Sequence, residues 1–329
     1  MTDKWVDFQS PLAGDMKRFL LHKRGLARQF YTEESVLRLL DRYLIEQRVA
    51  HITAITPSLL DDFFASRPRT RPRSYNHLLG VTRQFFCWLV EQGIISSSPV
   101  HASQRRAITQ RFPFLFDVIK ARKLLEISSS LLDNSRASLR GPTYTTIFAL
   151  LYGLGLRVGE VSRLCRKDVD FDRHLLVIRQ TKFGKSRFVP FGPRMGQRLS
   201  EYMQLREQQS GALHPDAPIF SFTKNKPIHP GTISLTFHHL LPRLNLDVLS
   251  GTAPPRLHDL RHSFAVATLL RWYRTGADPS KRLIHLSTFL GHVNPESTAV
   301  YLTITTDLLQ EANQRFERFA GPLLKEVIL

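Results

Sequence analysis

Apolar residues recur at helical spacing along most of this 329-residue chain, and the pattern fails over one stretch, residues 94–114. There Ser96-Ser97-Ser98-Pro99 is followed by Arg105-Arg106, Arg111 and Pro113, turn formers and cations with no apolar face to bury. A chain interrupted in this way is expected to build two cores, and 329 residues suffice for about two domains of ordinary size. The expected organisation is a helical domain over 1–100, a basic linker over 101–114 and a second domain over 115–329. Apolar residues make up 42% and charged residues 22%, which excludes a disordered chain. No apolar run approaches the ~20 residues of a membrane span, and the start, Met1-Thr2-Asp3-Lys4-Trp5, has no apolar export signal. Two cysteines make no disulfide framework, so a reducing, cytoplasmic setting is expected.

In the first part, Thr32 is expected to cap a helix whose first turn holds Glu33 and Glu34. Thr56-Pro57 opens a second helix, with apolar Leu59, Leu60, Phe63 and Phe64. A third starts near Ser74 and runs to Gly93, and Cys87 within its apolar run reads as a core residue. In the second part, Tyr144 to Leu154 reads as a buried helix and Arg157 to Leu164 as a short one. Leu175–Ile178 and Arg187–Pro190 read as strands joined by a tight turn containing Gly184. Helices are expected over 193–209, 230–244, 257–275, 279–290, 294–303 and 307–320. The fold class is therefore mainly α with a small β-sheet.

The net charge of +18 calls for a polyanionic partner, nucleic acid before an anionic membrane. It is no basic tail: +7 falls on residues 1–113 and +11 on the remainder. Arg67-Pro68-Arg69-Thr70-Arg71-Pro72-Arg73 sets four guanidiniums beside a helix N-terminus, where two prolines disfavour helix. This segment reads as an extended strap that contacts phosphates, or else as a solvated loop. Arg105 and Arg106 in the linker, and Lys185 and Arg187 in the hairpin, are counted with it as DNA-contacting cations.

Several familiar signatures are missing. Gly184-Lys185-Ser186 fails as a phosphate-binding loop because Arg179 stands where that loop needs glycine. No Gly-x-Gly-x-x-Gly and no His-Glu-x-x-His occurs. What does occur is an ordered set: Gly155-Leu156-Arg157 with Glu160, Lys182 in the turn, His258-x-x-Arg261, Leu290-Gly291-His292, and Tyr301 nine residues on. His258 and Arg261, three apart on a helix, share a face.

This set resembles the tyrosine recombinases, the phage-integrase family, in their simple, Xer-like two-domain form, and the resemblance covers nearly the whole chain. It implies a helical core-binding (SAM-like) domain followed by an α+β catalytic domain. About 13 residues precede the first helix, too few for the arm-binding domain of some integrases. The resemblance makes Tyr301 the nucleophile of a 3′-phosphotyrosyl intermediate. Arg157 and Arg261 become bidentate clamps on the phosphate oxygens and His292 a further donor. Lys182, or Lys185 as the alternative, becomes the acid that protonates the leaving 5′ oxygen, His258 the group exchanging the phenol proton, and Glu160 a residue orienting the site. No metal and no cofactor is implied, and no nucleotide triphosphate is needed because the phosphotyrosine conserves the phosphodiester energy. The expected partners are double-stranded DNA with paired recombination sites and further protomers, a tetramer on two sites or a related recombinase, docked through an apolar helix with Leu308 or Leu309, Ala312, Phe316 and Phe319. Membranes are not expected as partners. The rival readings are DNA relaxation of the type IB topoisomerase kind and an inactive DNA-binding regulator.

Overall fold

Phenylalanine and leucine side chains at helical spacing gather into two separate cores, and the chain divides with them into two units, Met1–Gln110 and Arg111–Leu329. The structure is a computed structural model that describes residues 7–26, 30–106, 112–179, 186–223, 226–292, 294–303, 309–311 and 313–314.

The first unit contains α1 (Ala13–Gly25), α2 (Tyr31–Glu46), α3 (Pro57–Ser66) and α4 (Pro72–Glu91). α4 packs against α1 and α2, with Phe19 edge-on to Phe85 and Trp88. Each such fully buried side chain contributes roughly 1.5–3 kcal/mol. The buried Asp41 carboxylate accepts from the backbone N–H groups of Gln9 and Ser10 and ties the segment before α1 to α2. α3 begins as expected, with Thr56 Oγ1 accepting from Leu59 N at 3.2 Å and Pro57 in the first turn.

Three local expectations are corrected. α2 starts one residue before Thr32, with Phe30 in the left-handed region (φ 55°) at its N-cap, because burying Phe30 outweighs a hydroxyl cap. α4 starts at Pro72 rather than Ser74, since proline fits the first turn of a helix. Cys87 is exposed: the run from Phe85 to Val90 is longer than the apolar face, and Cys87 falls on the outer side.

The second unit is built on α6 (Arg140–Gly153), which is buried nearly all round and packs against α5 (Val118–Ser129), α8 (Pro193–Ser210) and α10 (Asp259–Arg274). Between α6 and α8 lie the short α7 (Val158–Ser162) and an antiparallel sheet of β1 (Val169–Asp170), β2 (Leu175–Ile178) and β3 (Arg187–Pro190) in the order β1-β2-β3. Leu176 pairs with Val189 and Ile178 with Arg187, so alternation turns Leu176, Ile178 and Val189 into the core. α9 (Pro230–Leu244), α11 (Pro279–Leu290) and α12 (Glu296–Ala299) complete the described helices. The helix expected over 294–303 is α12 followed by a 3₁₀ turn, Val300–Thr303, and this tightening seats Tyr301 in a small core with Ala265, Leu269 and Leu290. The turn expected around Gly184 and most of the helix expected over 307–320 lie outside the described residues. Of that helix's apolar stripe only Leu309 is described, and it is exposed. No described helix is long and apolar enough to cross a membrane.

Candidate active site

Three arginines far apart in sequence converge on the last turn of α11. Gly291, with φ at +69°, ends that helix: its N–H donates to Thr288 O and the N–H of His292 reaches back to Ser287 O. The carbonyls of Phe289, Leu290 and Gly291 are left without helical donors, at the negative end of the helix dipole. Each accepts from one guanidinium. Arg187 Nε donates to Phe289 O at 2.8 Å, Arg261 Nη2 to Leu290 O at 2.7 Å and Arg157 Nη2 to Gly291 O at 2.8 Å. Arg261 is fully buried and also donates from Nη1 to Gly155 O at 2.6 Å.

Glu160 joins two of the three. Its carboxylate accepts from both terminal nitrogens of Arg187 at 2.8 and 2.9 Å, from Arg157 Nη1 at 2.8 Å and from Arg157 N at 2.9 Å. Burial by itself raises the carboxyl, but the bonds and charge of Arg187, with Arg157, prevail and hold it at about 2. Burial, with the charge of Arg157, pushes the Arg261 guanidinium down to about 10, so it remains a cation at neutral pH. Three cations against one carboxylate leave a fixed positive centre whose groups are already oriented.

Tyr301 lies against that centre, 4% exposed. Burial raises its phenol above the ordinary value even though Arg261 and Arg157 pull the other way. Its hydroxyl meets Nδ1 of His262 at 2.9 Å. The His292 ring stacks on Tyr301 at 6.3 Å between centroids, and its Nδ1 meets Thr298 Oγ1 at 2.6 Å. His258, at the N-cap of α10, is exposed as a residue, while protein atoms crowd its ring, which is set edge-on to that of His262 at 4.7 Å. All three imidazoles are pulled down to about 4, by desolvation first and then by neighbouring positive charge, and are neutral at pH 7.

The expected set Arg157, Glu160, His258, Arg261, His292 and Tyr301 is thus brought together. Lys182 and Lys185 lie outside the described residues. Two members were not anticipated. Arg187, expected among the DNA-contacting cations, has a side chain that is 10% exposed and bonded to Glu160 and Phe289. Strand alternation carries the signal, since Arg187 shares a face with the buried Val189. His262 was not assigned a role, although it follows Arg261 directly and lies one turn beyond His258.

The remaining cations divide by exposure. Arg71, Arg73 and Arg106 are exposed, and their side chains have no partner among the described residues. Arg71 is the N-cap of α4 and Arg73 lies in its first turn, so the strap ends on a helix N-terminus. Arg67 is half-buried, 3.5 Å from Glu46. Arg105 lies 3.9 Å over the Tyr75 ring, donates to Arg69 O at 2.9 Å and, through its backbone, exchanges hydrogen bonds with the Asn76 side chain, so residue 105 is fastened to the first unit. Among the described residues no group of three or more His, Cys, Asp and Glu could hold a metal ion.

The same arrangement of sequence and fold occurs elsewhere. A sequence profile described as the phage integrase family matches residues 123–307. A protein of Sinorhizobium fredii named for integrase/recombinase activity, y4rB, is 34% identical over 307 residues, covering 92% of this chain and 96% of its own. Tyrosine recombinase XerC of Chlorobaculum tepidum is 28% identical over 306 residues, covering 86% and 83%. Among solved structures, the Tn1549 transposon integrase in complex with a circular intermediate DNA superposes with a TM-score of 0.65 at 18% identity, over 95% of this chain and 100% of its own. A lambda integrase tetramer bound to a Holliday junction gives 0.63 at 18% identity, over 91% and 78%. At these identities the structural likeness is one of fold.

Proposed function

This chain belongs to the phage integrase family, and from that membership we infer that it is a site-specific DNA recombinase that breaks and rejoins DNA through Tyr301. The observation that carries the reading is the phenol of Tyr301 lying within the field of Arg261 and Arg157, two guanidiniums that are fixed before any phosphate arrives.

A phosphodiester repels nucleophiles because it is an anion, and its transition state gathers more charge on the non-bridging oxygens. Arg157 and Arg261 supply donors for that charge, and His292 supplies another. Removing one such donor typically costs about 3–4 kcal/mol of barrier. In the forward step the Tyr301 oxygen bonds to phosphorus, the bond from phosphorus to the 5′ oxygen breaks, and a 3′-phosphotyrosine is left. The 5′ oxygen takes a proton from Lys182, with Lys185 the alternative. The phenol gives its proton to the histidines at the head of α10, where the family motif marks His258. Glu160 keeps Arg157 and Arg187 oriented. The bond energy stays in the phosphotyrosine, so attack by a 5′ hydroxyl from another strand reseals the DNA.

Exchange between duplexes needs two sites and several protomers. Four copies on paired sites, joined through the segment after Tyr301, fit that requirement, as does assembly with a related recombinase. Arg71, Arg73 and Arg106 would grip DNA phosphates, a reading that their exposure supports. The test is to map covalent protein–DNA adducts on the DNA flanking the gene, then repeat with Tyr301→Phe on a nicked substrate. Adducts are expected with the wild type and none with the variant, while DNA binding persists. Adducts persisting in Tyr301→Phe refute the assignment.

A further inference from the structure

The motif marks His258, but the imidazole that the phenol reaches is His262. Its Nδ1 lies 2.9 Å from the Tyr301 hydroxyl, and its Nε2 faces Asp259 Oδ1 at 3.9 Å. The Asp259 side chain is 0% exposed and lies at the N-terminus of α10, where the helix dipole favours a negative charge. Its carboxylate is fixed by Arg256, whose backbone N–H donates to Oδ2 at 2.8 Å and whose Nη2 donates to Oδ1 at 2.9 Å.

A neutral imidazole carries one N–H and one lone pair, and its neighbours decide which nitrogen holds which. The carboxylate on the Nε2 side favours the proton there. That leaves the Nδ1 lone pair to accept from the phenol O–H. The imidazole therefore has the reacting oxygen in hydrogen-bond contact with Nδ1 and a buried anion 3.9 Å from Nε2, near enough to act by charge but not by a hydrogen bond. His258 meets His262 edge-on and stands outside this arrangement.

We propose that His262 is a catalytic base of the cleavage step, taking the Tyr301 proton on Nδ1, with Asp259 as the residue that positions it. The inference rests on Tyr301 being the nucleophile. As the Tyr301 oxygen bonds to phosphorus, its proton passes to Nδ1 and His262 becomes an imidazolium facing Asp259. The 5′ oxygen leaves with a proton from the general acid. On resealing, a 5′ hydroxyl attacks phosphorus, the bond to the tyrosine oxygen breaks, and the phenolate recovers its proton from Nδ1. The ring is free to accept because desolvation and the charges of Arg256 and Arg261 keep it neutral. The other titratable groups around it are His258 and Asp259 on α10, Tyr301, and His292 beside Tyr301.

The test uses the full chain in single-turnover cleavage of a nicked DNA carrying the mapped site, from pH 5.5 to 9. His262→Asn keeps a hydrogen-bonding group near Nδ1 but cannot carry a proton. The expected result is a cleavage rate at pH 7 lowered about a hundredfold or more, with DNA binding and thermal midpoint close to wild type. This pH range lies above the imidazole titration near 4, so the wild-type rate should be level across it, whereas the variant's rate should rise with pH as phenolate forms unaided. His258→Asn should retain the level profile. Added imidazole should partly restore His262→Gly, a gain that a packing role does not produce. The proposal is overturned if His262→Asn cleaves within threefold of wild type, if its rate falls with the pH profile unchanged, or if His258→Asn alone abolishes the level profile. Adducts that survive Tyr301→Phe overturn both this proposal and the nucleophile assignment, whereas adducts lost in Tyr301→Phe beside an unaffected His262→Asn overturn this proposal alone.

Discussion

Glu160 is the residue on which the cation cluster is balanced. Replacing it with Gln keeps the shape and removes the charge that Arg157 and Arg187 share, and unpairing a buried ion pair costs about 3–5 kcal/mol. Glu160→Gln should therefore lower the denaturation midpoint and the cleavage rate together, as read by chemical unfolding and adduct formation. Acid separates this residue from the histidines. His262 and His292 have folded pKa values near 4, below the unfolded value of 6.5, so the unfolded chain binds more protons and stability falls as pH drops from about 6.5 to 4. Glu160, held near 2 against an ordinary 4.5, adds a loss between about 4.5 and 2. Thermal midpoints measured against pH should show both losses in the wild type, and Glu160→Gln should have a smaller lower one, the remainder coming from carboxyls such as Glu34 that are also held down by ion pairs. That Arg157, Glu160, Arg261 and Tyr301 would converge was legible in the sequence, because their order and spacing resemble those of the family. The pairing of Arg187 with Glu160 was not, because it joins residues 27 apart through a strand and a helix that meet only in three dimensions.

Among elements, the end of α11 decides the geometry, and its glycine is what makes it an end. A Cβ on Gly291 would stand 2.8 Å from Arg187 Nη1 in a backbone conformation that side chains rarely adopt. Gly291→Ala should therefore both strain the turn and push Arg187 from its carbonyl. Cleavage should drop at least tenfold, with a stability loss of roughly 1–3 kcal/mol, measured by adduct formation and chemical unfolding. The strands Leu175–Ile178 and Arg187–Pro190 were read with their observed boundaries because alternation is a local signal. α5 went unread between the linker and the long buried helix. The 3₁₀ turn carrying Tyr301 could not be told from a continued α-helix by periodicity alone. Nor does any side-chain pattern announce that three carbonyls will hold three arginines, since every residue has a carbonyl.

Across the whole molecule, charge and its exposure set the expectation for binding. The chain divides after Gln110, within the stretch where apolar periodicity fails. The distribution of usable cations was not legible in the sequence, because Arg67, Arg105 and Arg187 differ from Arg71, Arg73 and Arg106 only in what surrounds them. Arg71→Ala with Arg73→Ala should weaken DNA binding across sequences and flatten the slope of log affinity against log salt by roughly 0.9 for each phosphate no longer neutralised. Filter binding across a salt series reads that slope directly, and an unchanged slope means these side chains stay in solvent. The bonds to the end of α11 span 134, 102 and 29 residues. A nascent chain still lacking residues 289–291, or a copy unravelled at that helix, lacks the carbonyls that gather its three arginines, and on the proposed function it has no assembled cluster to stabilise a pentacoordinate phosphorus. If the proposed chemistry holds, the capacity to cut DNA arises only once the chain has been made through α11 and has folded there.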